Sequence, residues 1–316
     1  MKFRTEYIPP RHSLILSPAA PLLLTGSCFA DNMARRMQRA RWEAANPAGV
    51  LFNPLSIARV LELTLLTESP EAEFRKSLFN AGGVWHSWLF DSALSARSEE
   101  ECLARFNDIT SRMRMLLNEG RRLCVTFGTA WCYFLAAAPN NVVANCHKQP
   151  QRLFERRRIS TADITAAWLS LIPRLRERYP RLEIIFTVSP VRHIRDGLHE
   201  NALSKSILLL ATEEICTRTE GAHYFPAYEI LCDDLRDYRF YANDLVHPSE
   251  QAVEYIWEKF CGTFLDSEGL ERLRKGEMLT RRLEHRPIIP DTPAAREFEE
   301  ETRRLLDEFN RANVQK

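Results

Sequence analysis

The stretch Leu22-Leu23-Leu24-Thr25-Gly26-Ser27-Cys28-Phe29-Ala30 decides the fold, because an apolar run there meets a glycine, a serine and the start of a helical pattern. Leu22–Leu24 predicts a buried strand, and the pattern from about Phe29 to Arg39 predicts a helix. A strand that turns into a helix through glycine and serine places Ser27 at the carboxyl end of a sheet. The N–H of Ser27 itself and those of the first helical turn could there bind a developing oxyanion. The simpler interpretation is that Ser27 only caps the helix.

A second stretch, Asn243-Asp244-Leu245-Val246-His247-Pro248, lies more than two hundred residues later. Asp244 and His247 are three residues apart and can turn back on each other in a short loop. The carboxylate would then accept from one imidazole nitrogen while the other nitrogen faces Ser27. The bare pattern D-x-x-H is common, but with Gly-Ser after the first strand and the order Ser, Asp, His it predicts a catalytic triad.

The segment Gly26-Ser27-Cys28-Phe29-Ala30 resembles the motif that gives the GSCFA family its name. That mainly bacterial family is grouped with the SGNH/GDSL-type hydrolases, and the resemblance runs from about Thr25 to Phe264. It implies a flavodoxin-like α/β fold, a three-layer α/β/α sandwich with a mostly parallel sheet. It also implies a serine directly after the first strand and an Asp-x-x-His near the end of the domain, which Asp244 and His247 match. The resemblance implies ester hydrolysis but no particular substrate.

The resemblance also implies two further oxyanion donors. A glycine after the second conserved strand of SGNH-like enzymes lends its N–H, and Gly128, after the apolar segment 122–127, is the matching position. The alternative is a glycine needed only for a tight turn. An asparagine side chain completes the oxyanion hole in these enzymes. Asn145 is the best match, although the usual Gly-x-Asn-Asp context is absent here.

Two more side chains are candidates for the substrate pocket. Asn53 precedes Pro54 and an apolar stripe, a pattern typical of a helix N-cap, and we favour capping over a place in the pocket. His193 follows the buried strand predicted over 182–188, at the same carboxyl edge of the sheet, together with Arg192. For His193 a structural role in the loop is an equally open interpretation.

The composition excludes several classes of function. The 316 residues carry a formal net charge of +1, so no overall field favours nucleic acid or an anionic membrane. Eight cysteines without a C-x-x-C pair predict free thiols in a reducing compartment, with neither disulfides nor a zinc site. No motif for a nucleotide, dinucleotide or metal cofactor is present, so we expect none.

The amino-terminal segment superficially imitates a signal peptide, but Glu6 and the prolines before Leu22 disfavour one. We therefore expect a mature, cytoplasmic protein without a membrane span. The chain divides into a hydrolase-like domain over residues 1–265 and a helical extension over 266–316. Two amphipathic helices, 267–286 and 294–313, would pack on the core or on a partner and offer a surface for homo-oligomers. The aromatic-rich residues 80–95 predict a loop.

These observations together predict a serine hydrolase of ester bonds that uses Ser27, Asp244 and His247. The leading substrate is a small-molecule or carbohydrate ester, an O-acyl or O-acetyl group, carried over from the superfamily. The same residues would suit an O-acyltransferase if the pocket excludes water. Cys28 as nucleophile and a non-catalytic binding protein on the same fold are the alternatives from other classes.

Overall fold

A computed structural model describes residues 4–10, 12–289 and 292–314. The strands in chain order are β1 (Leu22–Gly26), β2 (Ala44–Ala45), β3 (Leu78–Ala81), β4 (Val84–Ser87), β5 (Arg122–Phe127), β6 (Trp131–Leu135), β7 (Ala138–Val143), β8 (Phe154–Arg158), β9 (Glu183–Val188) and β10 (Ala222–Phe225). The α-helices are α1 (Cys28–Arg39), α2 (Pro54–Leu61), α3 (Pro70–Arg75), α4 (Glu99–Gly120), α5 (Thr161–Arg178), α6 (Leu198–Arg218), α7 (Ala227–Glu229), α8 (Glu250–Phe264), α9 (Ser267–Glu284) and α10 (Pro293–Val314).

The central sheet has five parallel strands in the order β10-β9-β5-β1-β2. Alternate side chains of β1 enter two different apolar layers. Leu23 packs in the layer that α4, α5 and α6 contribute to, whereas Leu22 and Leu24 pack in the layer of α1 and α8. Because both faces of the sheet are covered, its strands are continuously apolar in sequence. The predicted α/β/α sandwich is confirmed.

The junction between β1 and α1 depends on a glycine. Gly26 has φ +131°, and a Cβ atom there would lie 2.2 Å from the carbonyl oxygen of Thr126 on β5. Only glycine allows the two strands to approach this closely with that backbone conformation. The junction therefore sets where the first turn of α1 begins.

The prediction of a loop over residues 80–95 is wrong for its first half. Strands β3 and β4 pair antiparallel through Gly82 and Gly83, which have φ +61° and +80°. A Gly-Gly pair between two aromatic-rich segments is the pattern of a two-residue hairpin turn. A second unpredicted sheet, β7-β6-β8, includes the basic run of β8, whose Arg156 stacks 4.1 Å from the Trp131 ring.

The two predicted C-terminal helices are present as α9 and α10. Helix α9 packs closely against the end of α1, since a Cβ at Gly276 would lie 2.0 Å from the Ala40 carbonyl oxygen. Helix α10 returns along α9, where Arg282 donates to the Thr302 hydroxyl at 3.0 Å. Among the described residues, no helix combines the length and apolar character that crossing a membrane requires.

Candidate functional site

Asp244 and His247 form a hydrogen-bonded pair in the loop before α8. The imidazole Nδ1 lies 2.6 Å from Asp244 Oδ2, and each side chain is 49% exposed. The other carboxylate oxygen accepts the backbone N–H groups of Val246 and His247, both at 2.9 Å. Since Nδ1–H donates its hydrogen bond to the carboxylate, Nε2 is the nitrogen left to act as a base.

The loop is closed by backbone hydrogen bonds on both sides of the pair. Ala242 N–H donates to His247 O at 2.7 Å, and Ser249 N–H donates to Phe240 O at 2.8 Å. Leu245, between the two functional side chains, has φ +58° and an exposed side chain. The tight turn brings Asp244 and His247 together as their spacing predicts.

The hydrogen bonds of Asp244 keep it ionised. The backbone N–H groups of His247 and Val246, followed by the His247 side chain, lower the pKa of Asp244 to about 2. The carboxylate is therefore charged at any pH at which the protein would work. It orients the imidazole and can stabilise an imidazolium.

His247 lies at a cavity of about 520 Å³ at the carboxyl edge of the sheet. Four of the residues singled out from the sequence line it with His247: Cys28, Asn145, Arg192 and His193. The remaining lining residues are Val50, Phe52, Asp91, Ser92, Ala93, Val191 and Val246. The structure thus brings Cys28, from the first motif, and His247, from the last, to the same cavity.

Ser27 does not line this cavity. The side chain is fully buried, and its Oγ accepts the N–H of Phe29 at 3.3 Å as the N-cap of α1. The Ser27 N–H donates to Thr126 O at 3.2 Å, within the sheet edge. Capping is therefore what Ser27 does in this structure, and its role as nucleophile stays a prediction.

Cys28, the next residue, is half-buried and is among the residues that line the cavity. Burial is the main cause that raises the pKa of its thiol, and Asp31 one turn later adds to it. The backbone N–H groups of Cys28 and Phe29 and the buried Lys205 lower that pKa, but by less. The thiol is thus neutral at rest and needs a base to become a nucleophile.

One protein-family model matches most of this chain. The model of the GSCFA family matches residues 21–260, about three quarters of the chain. The chain belongs to the GSCFA family. The matched region begins one residue before β1 and ends within α8, so it contains the whole central sheet, Cys28 and the Asp244–His247 pair. No curated protein matches this GSCFA chain.

Of the two residues predicted as further oxyanion donors in this GSCFA protein, Asn145 lines the cavity and Gly128 does not. Gly128 does follow β5, but its N–H donates to Phe52 O at 2.8 Å, as does that of Thr129 at 3.0 Å. Asn145 lines the cavity, and its Oδ1 accepts the His147 N–H at 2.8 Å. That bond fixes the orientation of the amide and leaves its NH₂ group to donate. The geometry offers Asn145, and not Gly128, as a donor.

Of the other two predicted pocket residues, His193 lines the cavity and Asn53 does not. Asn53 is buried and caps α2, with Oδ1 accepting the Ser56 N–H at 2.8 Å, so the capping interpretation is confirmed and Asn53 does not line the cavity. His193 lines the cavity, and its buried Nε2 has no hydrogen-bond partner among the residues that the structure describes. Burial first, then Lys205 and His247, lower the pKa of His193 to about 3, so it is a neutral imidazole.

Sequence reasoning missed the support behind the cavity. Asn201, Ser204 and Lys205 of α6 are buried and hydrogen-bond to the loops at the cavity. Their spacing of three and four residues on the apolar face of a helix is the signal that could have found them. Within residues 4–10, 12–289 and 292–314, no three His, Cys, Asp or Glu side chains are arranged to hold a metal ion.

Proposed function

We propose that this GSCFA protein hydrolyses ester bonds through a covalent acyl-enzyme, with His247 as general base and Asp244 as the carboxylate that orients it. One observation carries the proposal: His247, paired with Asp244 at 2.6 Å, lines a cavity that Cys28, the first residue of α1, also lines. A base, its orienting group and a nucleophile at a helix N-terminus are the parts that acyl transfer needs.

Cys28 is the nucleophile that this arrangement favours. Cys28 is one of the residues that line the cavity, whereas the Ser27 hydroxyl is buried and engaged in capping. The thiol also lies against its own N–H, so a carbonyl attacked there would meet the positive end of α1. The amide of Asn145, across the same cavity, is the second donor for the oxyanion.

The reaction balances in two steps. Cys28 Sγ attacks the acyl carbon while its proton passes to His247 Nε2, and the alcohol leaves with that proton as the intermediate collapses to a thioester. His247 then takes a proton from water, the hydroxide attacks the thioester, and the carboxylic acid and the free thiol are released.

The finer expectations from the sequence remain part of this proposal. The substrate would be a small ester that fits about 520 Å³, with an O-acyl or O-acetyl group on a carbohydrate as the leading class. All eight cysteines are free thiols, which suits a cytoplasmic location. Exposed Leu283, Ile288 and Ile289 at the α9–α10 connection would serve a homo-oligomer.

Hydrolysis of p-nitrophenyl acetate by a panel of variants tests the proposal. We expect kcat/KM to fall at least about a hundredfold in His247→Ala and Cys28→Ala, because each removes a reacting group. Asp244→Asn should also lose activity, since the amide favours the wrong imidazole tautomer. His199→Ala, at an exposed histidine away from the cavity, is the matched control and should be unchanged.

Ser27→Ala separates the two nucleophiles. If Ser27 only caps α1, this variant loses about 1 kcal/mol of stability and keeps its activity. Activity lost in Ser27→Ala and kept in Cys28→Ala would return the nucleophile to the serine. Wild-type hydrolysis no faster than that of His247→Ala would overturn the proposal.

A further inference from the structure

Helix α6 carries three buried polar side chains within one turn: Asn201, Ser204 and Lys205. They lie on the face that packs against the sheet, next to the apolar Leu208 and Ala211. An apolar residue at these positions would avoid the cost of burying polar atoms. The hydrogen bonds that the three side chains make therefore indicate what they are for.

Lys205 joins the ends of two neighbouring strands. Its Nζ donates to Gly128 O and to Ser189 O, each at 2.7 Å, and these residues directly follow β5 and β9. Among the described residues no carboxylate forms an ion pair with Lys205, and its other close partner is the Tyr228 ring, 5.6 Å from Nζ. Burial lowers the pKa of Lys205 to about 7. Burial of this amine costs desolvation free energy, and the two hydrogen bonds it makes hold the ends of β5 and β9 against α6.

Ser204 and Asn201 hold the same two loops at other points. Ser204 Oγ accepts the Ala130 N–H at 2.8 Å, in the loop that begins at Gly128. Asn201 Oδ1 accepts the His193 N–H at 2.8 Å, at the end of the loop that begins at Ser189. The loop after β5 is thus tied to α6 by three hydrogen bonds, one of them between the Thr129 and Ser204 hydroxyls at 3.1 Å, and the loop after β9 by two.

Both loops lead directly to the cavity. The loop after β9 supplies Arg192 and His193 to the lining, and the Arg192 N–H donates to Val246 O at 3.1 Å, next to His247. The loop after β5 donates the N–H groups of Gly128 and Thr129 to the carbonyl of Phe52, another lining residue. The polar residues of α6 therefore hold the loop after β9, which lines the cavity, and the loop after β5, which hydrogen-bonds to the lining residue Phe52.

We propose that Asn201, Ser204 and Lys205 form a positioning unit that holds the loops after β5 and β9 in the geometry that acyl transfer at His247 requires. The catalytic part of this inference rests on the proposed function, whereas the positioning itself does not. None of the three side chains hydrogen-bonds to Cys28 or His247 among the described residues; they hold the loops, and Lys205 in addition lowers the pKa of the Cys28 thiol.

Hydrogen–deuterium exchange of four variants tests the positioning. Ser204→Ala should speed exchange about tenfold or more in residues 128–131 alone, and Asn201→Ala in residues 190–194 alone. Lys205→Met, similar in length but uncharged, should speed exchange in both segments. Ser206→Ala is the control, because Ser206 is exposed on the opposite face and bonds only Ala202 O within the helix.

A kinetic measurement adds a readout that a merely structural role would not move. With p-nitrophenyl acetate, Lys205→Met should lower kcat about ten- to a hundredfold and leave KM within about twofold, since the loops lose precise placement but the cavity stays open. Lys205→Arg, which keeps the charge and the donors, should recover part of the lost kcat. If the wild-type protein hydrolyses nothing, the proposed function fails and the exchange pattern alone decides this inference.

The inference is overturned if folded Lys205→Met exchanges like wild type in both segments. It is equally overturned if exchange rises uniformly over the whole sheet, because the three side chains would then contribute only to global stability. Should Lys205→Met not fold, the separate responses of Ser204→Ala and Asn201→Ala decide by the same criteria.

Discussion

The two oxygens of Asp244 do different things. Oδ1 accepts hydrogen bonds from two backbone N–H groups and closes the turn, while Oδ2 accepts a hydrogen bond from the imidazole Nδ1–H of His247. The same contacts that fold the loop therefore also fix the tautomer of the base. Because backbone N–H groups are the main cause that lowers the pKa of Asp244 to about 2, its charge survives the loss of His247. The loop should keep its shape in His247→Ala.

At the same scale, Ser27 and Cys28 show why a motif alone could not name the nucleophile. Ser27 has the extended backbone of an N-cap, with φ −67° and ψ 172°, whereas Cys28 begins the helix. Neighbours on either side of that change in conformation point in different directions. The sequence places both residues at the sheet edge, but which one reaches the cavity depends on the dihedral angles of this turn.

His193 gives a prediction about acid stability. Its folded-state pKa of about 3 lies below the ordinary 6.5, so between these values the unfolded chain binds a proton that the folded protein does not. The contribution of the neutral His193 to the free energy of unfolding is therefore fully present above pH 6.5 and is lost as the pH drops toward 3. Replacing His193 by Gln should remove about 2 kcal/mol of the loss between pH 7 and 4.5.

Urea denaturation of wild type and His193→Gln at both pH values measures this difference, and carboxylate effects common to both proteins cancel. His199→Gln is the control, since this histidine is exposed. The variant protein should lose as much stability between the two pH values as wild type does. An equal loss in wild type and His193→Gln would mean that the His193 imidazole is not kept neutral by its surroundings.

At the scale of elements, the β1–α1 junction is the most constrained part of the fold. Gly26→Ala should destabilise the protein by about 3 kcal/mol, because a Cβ would collide with the Thr126 carbonyl of β5 in a backbone conformation that disfavours it. Gly197→Ala is the matched control. Gly197 also has positive φ, at +92°, but has open space around it, so we expect a loss of about 1 kcal/mol. Thermal unfolding compares the two, and equal losses would contradict the close approach of β1 and β5.

The elements that sequence patterns predict well are those with strong local signals. Strand β5 has the bounds of the apolar segment 122–127, and β9 ends at residue 188 as does the strand predicted over 182–188. The hairpin of β3 and β4 and the β7-β6-β8 sheet were missed because aromatic and basic residues mask the alternation of their strands. In β8 the arginines stack on rings of β6, a tertiary contact that no local pattern shows.

At the scale of the whole molecule, the site is assembled from the carboxyl ends of β1 and β9, the segment after β2, residues 91–93, Asn145 and the loop before α8. Parallel strands bring these ends to one edge, which is why residues as distant in sequence as Cys28 and His247 line one cavity. That convergence follows from the order of strands and could be predicted. The use of the Gly128 N–H by Phe52 could not, because it depends on how the chain after β2 passes that edge.

The C-terminal extension belongs to a different part of the molecule. Helix α9 lies against the end of α1, and a separate cavity of about 670 Å³ between α9, α10 and the residues 15–19 shares no lining residue with the site. The division of the chain at residue 265 stays a prediction, but the contacts place α9 on the same layer that supports α1.

The measurement that tests the central claim most directly is trapping of the acyl-enzyme. Wild-type protein is mixed with p-nitrophenyl acetate, quenched in acid within one turnover, and its peptides are mapped by mass. We predict one acetyl group on Cys28, labile to neutral hydroxylamine as a thioester, and absent from His247→Ala; the half-buried Cys146 serves as an internal control thiol. An acetyl group on Ser27 would keep the chemistry and move the nucleophile. No adduct in the segment 26–29, or the same adduct in His247→Ala, would contradict an activated nucleophile at this site.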